Sequence, residues 1–284
     1  MQRLVATTVA LLCLLACGAA MADPDPQKLR VCADPNNMPL SDQGGRGYEN
    51  RIAQLIGEEL GRPVEYTFMP QRMGFIRNTL RASDGKGGFK CDLVIGVPDD
   101  YDMTANTRPY LHSTWVMVLP DRPEFAAIKS PDDVLAMPAD VRGKLRFGTF
   151  THSPPLDWIF KNELFNQAVI YKALSADPDQ VPGQMVSQDL DAGKIDIAMV
   201  WGPIGGYFAK QSASHLRLVP FTSTADIRYD YLLAMGVRVP DKQWRATIDA
   251  VIAKRQADID RILREYAVPL LDLPQPKADG KANG

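Results

Sequence analysis

Residues 193–210 read Gly-Lys-Ile-Asp-Ile-Ala-Met-Val-Trp-Gly-Pro-Ile-Gly-Gly-Tyr-Phe-Ala-Lys. The apolar run 195–200, bounded by Gly and Pro, predicts a central strand of a parallel sheet that is covered on both faces. Residues just past the carboxyl end of such a strand face the ligand crevice. Here they are Trp201, Gly202 and Pro203, so we expect a bulky aromatic side chain at the mouth of a cleft.

The same pattern occurs about a hundred residues earlier. Residues 90–98 read Lys-Cys-Asp-Leu-Val-Ile-Gly-Val-Pro, again Lys-x-Asp, an apolar strand and a Gly/Pro turn. Two copies predict two α/β lobes, each of which contributes a strand-end loop to a shared cleft. Chance similarity between two buried strands is the alternative.

The first 22 of the 284 residues predict a signal peptide: Arg3, an apolar stretch, and Ala20-Met21-Ala22 as the cleavage site. The apolar stretch is too short for a membrane span. Leu14-Leu15-Ala16-Cys17 is an imperfect lipoprotein signal, which leaves an acyl-anchored form as an alternative. Removing this segment, with one Arg and no acid, takes the formal net charge from −2 to −3. Without a basic stripe, we expect no nucleic-acid partner and no membrane insertion.

Cleavage would leave two cysteines, Cys32 and Cys91. An even pair in an exported chain suggests a disulfide. Cys32 lies in the first predicted strand and Cys91 at the start of a later one, so the bond is within reach if those strands are neighbours. Two buried free thiols are the alternative. No Cys-x-x-Cys motif supports a zinc site or a redox centre.

Apolar periodicity and turn residues divide the rest of the chain into alternating strands and helices. The first lobe is predicted to comprise residues 23–118 and 226–273, the second lobe 119–225, and residues 274–284 a disordered tail. Predicted strands are 29–33, 64–68, 91–97, 114–119, 145–150, 169–171, 195–200, 216–219 and 231–237. Predicted helices are 47–60, 71–82, 156–162, 186–192, 202–210 and a long one that begins after Asp241.

The order and spacing of these elements resemble the two-lobe, amino-acid-binding periplasmic proteins. A narrower set of motifs resembles the quinoprotein-dehydrogenase-associated MxaJ/XoxJ proteins, encoded beside periplasmic methanol dehydrogenases. These motifs are 31–37 (Val-Cys-Ala-Asp-Pro-Asn-Asn), 48–52 (Tyr-Glu-Asn-Arg-Ile), 70–72 (Pro-Gln-Arg), 74–80 (Gly-Phe-Ile-Arg-Asn-Thr-Leu), 96–98 (Gly-Val-Pro), 200–203 (Val-Trp-Gly-Pro) and 206–210 (Gly-Tyr-Phe-Ala-Lys).

The resemblance implies an α/β, two-lobe type II periplasmic-binding-protein fold, with a mainly parallel sheet and flanking helices in each lobe and two crossover strands between them. It also implies a non-catalytic periplasmic accessory protein, without a cofactor of its own and monomeric when free. Its partner would be a PQQ-dependent methanol dehydrogenase, with or without the associated cytochrome c, whose activation or maturation it assists. The alternative is the solute-binding component of an ABC transporter for a small ligand that is not an amino acid.

Amino-acid-binding relatives hold the ligand between an Arg after the first-lobe strand and an Asp after the second-lobe strand. In this chain the corresponding positions are occupied by Asp102 and Trp201. Because both counter-charges are absent, an amino-acid ligand is disfavoured. We expect instead a cleft for an apolar ligand or a partner segment, lined by Asn36, Asn37, Met38, Tyr48, Phe75, Tyr101, Tyr110, His152, Trp201 and Tyr207.

Some proteins of this design are dehydratases that use cleft carboxylates as acid and base. Glu49, Asp34, Asp99 and Asp102 supply carboxylates, but solvated loop acids are the commoner explanation. Neither Ser nor Cys lies in a motif that supports nucleophilic attack. The sequence therefore predicts no catalytic residues and no metal ligands.

Overall fold

The computed structural model describes residues 24–71, 73–173 and 179–274. The predicted signal peptide and residues 275–284 of the predicted tail lie outside this part of the chain. The strands are β1 (Leu29–Ala33), β2 (Asn36–Asn37), β3 (Ser41–Asp42), β4 (Val64–Phe68), β5 (Leu93–Pro98), β6 (Ala105–Asn106), β7 (Leu111–Pro120), β8 (Phe147–Phe150), β9 (Ala168–Tyr171), β10 (Ile197–Trp201), β11 (Leu216–Pro220) and β12 (Asp230–Val237). The α-helices are α1 (Tyr48–Leu60), α2 (Phe75–Asn78), α3 (Ala139–Arg142), α4 (Pro154–Lys161), α5 (Pro182–Asp191), α6 (Gly202–Gln211) and α7 (Lys242–Glu265).

Each lobe contains three parallel strands. In the first lobe they lie in the order β4-β1-β5, and in the second in the order β9-β8-β10. The strand β7 belongs to both lobes, since its first residues pair with β12 and its last residues pair with β10 and β11. The chain enters the second lobe along β7 and returns to the first along β12. This arrangement confirms the predicted two-lobe fold with two crossover strands.

The repeated Lys-x-Asp pattern has the same structural role in both lobes. Asp92, just before β5, accepts two hydrogen bonds from the guanidinium of Arg30 on β1. Asp196, just before β10, accepts the corresponding bonds from Arg146, just before β8. In each lobe the Asp thus ties the start of β5 or β10 to the start of the neighbouring parallel strand, β1 or β8. The repetition is therefore structural rather than accidental.

The predicted disulfide is confirmed. Cys32 on β1 and Cys91, just before β5, are bonded, with their Cα atoms 5.6 Å apart. The bond is possible because β1 and β5 are adjacent, with Cys32 opposite Val94. It lies in a cluster of buried apolar side chains that also contains Phe75 and Leu80.

The predicted helix 71–82 is wrong in its extent, since α2 comprises only Phe75–Asn78. Gly74 precedes it in the left-handed region, with φ +87°. At the other end, the Thr79 hydroxyl donates to the Phe75 carbonyl, which competes with continuation of the helix. Apolar periodicity could not reveal this competing hydrogen bond.

The long helix α7 covers the first lobe and packs against α1. Its predicted apolar stripe is buried from Trp244 to Leu263, and Tyr266 follows at its C-terminal cap. None of the helices in the described part of the chain combines the length and apolar character needed to cross a membrane.

Candidate functional site

A cavity of about 450 Å³ lies where the two lobes face each other. We call it the cleft. The first lobe contributes the loop after β1 and the loop after β4; the second contributes the ends of β8 and β10 and the start of α5. The residues around it are Asp34, Asn36, Asn37, Met38, Pro70, Gln71, Trp115, Phe150, Thr151, His152, Ser153, Ala173, Gln180, Pro182, Gly183, Trp201 and Ile204.

The first-lobe wall is organised by Asp34. Its carboxylate accepts hydrogen bonds from the backbone N–H groups of Asn36 and Gln71, and so joins the two loops. The Asn37 side-chain amide donates to the carbonyl oxygen of the Gln71 side chain at 3.3 Å. Because its carboxylate is already held by backbone donors, Asp34 orders the wall.

The second-lobe wall is built at the carboxyl ends of β8 and β10. Thr149 and Ser153 are both buried, and their hydroxyl oxygens lie 3.0 Å apart. The Ser153 hydroxyl donates to the Phe150 carbonyl, which shapes the turn after β8. His152 lies in this turn with φ +56° and lines the cleft.

Three aromatic rings form a continuous row, of which the two indoles, Trp115 and Trp201, line the cleft. The ring centroids of Trp115 and Trp201 are 6.1 Å apart, and those of Trp201 and Tyr231 are 6.0 Å apart. Arg228 lies over Tyr231 at 4.6 Å and pairs with Asp100 at 3.4 Å. We call Trp115, Trp201 and Tyr231 the aromatic row. Edge-to-face contacts of this kind fix the rings in place.

Five of the ten predicted site residues line the cleft, namely Asn36, Asn37, Met38, His152 and Trp201. Phe75 and Tyr101 line a second cavity of about 370 Å³ in the first lobe. Gln71 borders both cavities. The two strand-end loops were predicted to meet at one cleft. Instead, the end of β10 with Trp201 lines the cleft, whereas the end of β5 with Val97 and Pro98 lines the adjacent second cavity.

Tyr48, Tyr110 and Tyr207 lie elsewhere. Tyr48 and Tyr110 have no exposed surface and belong to the core of the first lobe. Tyr48 begins α1 on the face that packs against α7, and Tyr110 immediately precedes β7, so both point inward. Tyr207 stacks on Tyr266 at the end of α7, with centroids 6.0 Å apart. The expectation that these three tyrosines line the cleft does not match their positions.

Sequence reasoning missed several cleft residues, above all Trp115, Phe150 and Gln71. Trp115 lies within a strand, and no motif singles it out. It reaches the cleft because β7 pairs with β10 in a register that sets Trp115 opposite Trp201. Phe150 could have been found, because it ends a predicted buried strand just as Trp201 does.

Asp102, which was expected to place a negative charge in the cleft, lies outside it. Asp102 is exposed and does not border the cleft. Among the described residues that line it, Asp34 is the one carboxylate, and there is no Arg or Lys. Among these described lining residues, no Arg or Lys is therefore available to pair with a ligand carboxylate.

A buried polar cluster lies behind the first-lobe wall. Oε1 of Glu49 and the hydroxyls of Tyr48 and Tyr110 are buried without a hydrogen-bond partner. Burial and the nearby charge of Asp34 raise the pKa of Glu49 well above its usual value. Burial likewise raises the pKa of both tyrosines. The cluster therefore favours a neutral, protonated Glu49.

Gly96 accommodates this carboxyl. It has φ +82° at an irregularity in the pairing of β5 with β12, between Ala234 and Met235. A Cβ atom at this position would lie 2.3 Å from Oε1 of Glu49. A glycine bulge is thus required both by the backbone and by the buried acid.

The described residues contain no group of three or more His, Cys, Asp and Glu side chains arranged to hold a metal ion.

No protein-family model matches the chain. Protein MoxJ of Methylorubrum extorquens is 31% identical over 265 residues, which cover 89% of this chain and 85% of that protein.

Two solved structures extend the comparison. The crystal structure of the periplasmic binding protein XoxJ from Methylobacterium extorquens AM1 has 34% sequence identity and a TM-score of 0.68, covering 86% of this chain and 99% of that one. MxaJ from Methlophaga aminisulfidivorans MPT has a TM-score of 0.72 at 21% identity, covering 86% of this chain and all of that one, and shows the shared fold. The chain therefore belongs to the family of periplasmic binding proteins that includes MoxJ and XoxJ.

Proposed function

We propose that the protein is a non-catalytic periplasmic accessory protein of methanol oxidation. It binds a PQQ-dependent methanol dehydrogenase and assists the activation or maturation of that enzyme. Membership of the MoxJ/XoxJ family supports a role in methanol oxidation. The binding of the dehydrogenase itself is the step that the proposal adds.

One observation carries the proposal: the described residues that line the cleft lack a pair of opposite charges that could bind both ends of an amino acid. Among its described lining residues the one carboxylate, Asp34, already accepts two backbone N–H bonds. Aromatic rings and side-chain amides make up much of the remaining wall. Such a surface suits an uncharged partner segment, because aromatic residues dominate the energetics of protein interfaces.

The test is copurification from periplasm. The tagged protein is expected to retain the dehydrogenase, and removing it from the cell is expected to lower the PQQ or metal content of the enzyme. Trp201→Ala should reduce the retained dehydrogenase about tenfold, the scale of one interface anchor. Phe160→Ala is the matched control, because Phe160 is an exposed aromatic residue on α4 outside the cleft.

The proposal fails if the protein neither copurifies with the dehydrogenase nor changes its activity or its PQQ and metal loading. If Phe160→Ala alone reduces binding, the contact lies on the outer face of the second lobe rather than in the cleft.

Transport of a small neutral ligand is the second candidate. A cavity of about 450 Å³ between two lobes falls in the size range of small-molecule sites. A ligand that binds only the folded state raises the melting temperature, by an amount that grows with the logarithm of the ratio of ligand concentration to Kd. Strong stabilisation by a single metabolite in a thermal-shift screen, abolished by Trp201→Ala, would favour this function.

A further inference from the structure

The four tryptophans of the chain differ in what their indole N–H groups bind. Those of Trp158 and Trp244 donate to oxygen atoms within their own lobes, at 3.3 Å and 3.0 Å. The N–H groups of Trp115 and Trp201 have no acceptor among the described residues, and both are open to solvent. These two indoles are also the ones that line the cleft. The aromatic side of the cleft therefore carries two unused hydrogen-bond donors.

A third unused donor lies on the first-lobe wall. The side-chain oxygen of Gln71 accepts from Asn37, whereas its Nε2 atom has no acceptor in the described part of the chain and is open to solvent. The two oxygens of Asp34 each accept a backbone N–H already. An indole N–H can donate and cannot accept. An occupant that satisfies these donors must therefore supply hydrogen-bond acceptors.

A proline-rich segment supplies acceptors without competing donors. Each proline has a backbone carbonyl but no N–H, and its ring is apolar. Any other residue brings an N–H, and an N–H placed against the two indoles loses its water without gaining an acceptor. Proline runs also adopt the polyproline II helix before they bind. This helix has no internal hydrogen bonds, so its carbonyls are available and little entropy is lost on binding.

The spacing and the charge of the cleft suit such a segment. The ring centroids of Trp115 and Trp201 are 6.1 Å apart, close to the rise of two residues in a polyproline II helix, about 6.2 Å. One segment can thus contact both indoles. Among the described lining residues there is no Arg or Lys, and the carboxylate of Asp34 is already hydrogen-bonded. The segment that fits is therefore uncharged.

We propose that the cleft binds an uncharged, proline-rich segment of a partner protein in the polyproline II conformation. Carbonyl oxygens of the segment accept hydrogen bonds from the indoles of Trp115 and Trp201, and its pyrrolidine rings pack against the aromatic side of the cleft. Gln71 donates to a further carbonyl from the first-lobe wall. The inference rests on the proposed function in one point, namely that the occupant is a segment of a partner protein.

The test is NMR of the four indole N–H groups in the full chain, titrated with a proline hexamer whose ends are capped. The signals of Trp115 and Trp201 are expected to move as their N–H groups gain an acceptor. Those of Trp158 and Trp244 are internal controls and should stay in place, because their N–H groups already donate within the protein. A capped hexamer with alanine at alternate positions should bind at least about tenfold more weakly, because its N–H groups lose water without gaining an acceptor.

Trp201→Phe separates the hydrogen bond from the packing of the ring. Phenylalanine keeps an aromatic face but has no N–H, so the affinity for the proline hexamer should fall about fivefold, the scale of one neutral hydrogen bond. Phe160→Ala, outside the cleft, should leave this affinity unchanged. The inference is wrong if the hexamer leaves both cleft indoles in place, or if the alanine-containing peptide binds equally well. If Trp201→Phe does not fold, the wild-type spectra with the two peptides decide.

The outcome is distinguishable from that of the copurification experiment. If the dehydrogenase is retained but the hexamer does not move the two indole signals, the proposed function stands and the proline-rich segment is wrong. If the hexamer moves them but the dehydrogenase is not retained, the cleft binds proline-rich segments and the partner is a different protein.

Discussion

Trp115 and Trp201 are directly opposite each other in the antiparallel pairing of β7 with β10, and their ring centroids are 6.1 Å apart. One belongs to the strand that connects the lobes, and the other ends the central strand of the second lobe. The two indoles therefore meet where the hinge joins the cleft. The walls of the cleft therefore include a side chain of the hinge strand, Trp115, as well as side chains of the second lobe.

Glu49→Gln should stabilise the protein above neutral pH. The pKa of Glu49 is raised by burial and by Asp34, whereas an unfolded Glu ionises near about pH 4.3. Wild-type stability should therefore fall as pH rises above that value, because the folded state resists ionisation. Glutamine keeps the shape and does not ionise, so the variant should be more stable at about pH 8 by at least about 1 kcal/mol. Urea unfolding at several pH values measures the difference.

Glu59→Gln is the control with the opposite sign. Hydrogen bonds from Lys254 and Arg255 lower the pKa of Glu59. Ionised Glu59 therefore stabilises the fold above the pKa of an unfolded Glu, and this contribution is lost as pH falls through the lower pKa of the folded state. The variant should be less stable than wild type at neutral pH but not in acid. Identical pH profiles for wild type and Glu49→Gln would contradict the assignment of a neutral buried Glu49.

Gly96→Ala should cost about 3 kcal/mol of unfolding free energy. The left-handed backbone conformation, φ +82°, contributes roughly 1–2 kcal/mol for a residue with a Cβ. Overlap with Oε1 of Glu49, 2.3 Å away, adds the cost of overpacking. Gly193→Ala is the matched control, since Gly193 has φ +66° and nothing within 4 Å of the added atom. Equal destabilisation of the two variants in urea would show that the Glu49 contact carries no cost.

Asp92→Asn should destabilise the first lobe strongly. Asp92 is 1% exposed and binds two guanidinium groups, those of Arg30 and Arg238. Arg238 is itself 3% exposed and also donates to the Cys91 carbonyl. Loss of the carboxylate removes the acid paired with Arg30 and leaves Arg238 with Asp241 alone, at a cost of about 3 kcal/mol, the low end for breaking a buried ion pair. Chemical unfolding monitored by circular dichroism provides the measurement.

Glu65→Gln is the comparison for an exposed ion pair. Its pair with Lys28 has both side chains about half exposed, so breaking it should change stability by less than about 1 kcal/mol. If Asp92→Asn costs no more than Glu65→Gln, burial has not strengthened the Asp92 network.

Replacement of Cys32 and Cys91 by alanine should lower the unfolding free energy by about 4 kcal/mol. The bond closes a loop with a sequence separation of 59 residues. It lowers the conformational entropy of the unfolded chain, and for a loop of this length the resulting stabilisation of the folded state is about 4 kcal/mol. Wild-type protein unfolded in the presence of a strong reductant should match the double variant. A double variant as stable as the oxidised protein would show that the cross-link does not constrain the unfolded chain.

The sequence predicted those features that depend on a local pattern of apolar and polar residues. The strands around the Trp201 and Val97 turns, the apolar stripe of α7 and the partnership of Cys32 with Cys91 all follow from local pattern or from adjacency of two predicted strands. These features depend on side chains that are near one another in sequence or in neighbouring parallel strands, and so the local signal suffices.

The site was only partly predictable, because strand register decides it. Trp115 enters the cleft through its pairing with Trp201, and Tyr110, immediately before β7, is buried because it packs into the core of the first lobe. A shift of one residue would reverse which side chains face the cleft. The sequence by itself determined the strand–helix order, the two lobes and the place of Trp201 at the end of a buried strand. Only the tertiary structure decided which aromatic residues meet there and that His112 joins the hinge strands, because these contacts link residues more than a hundred positions apart or depend on register.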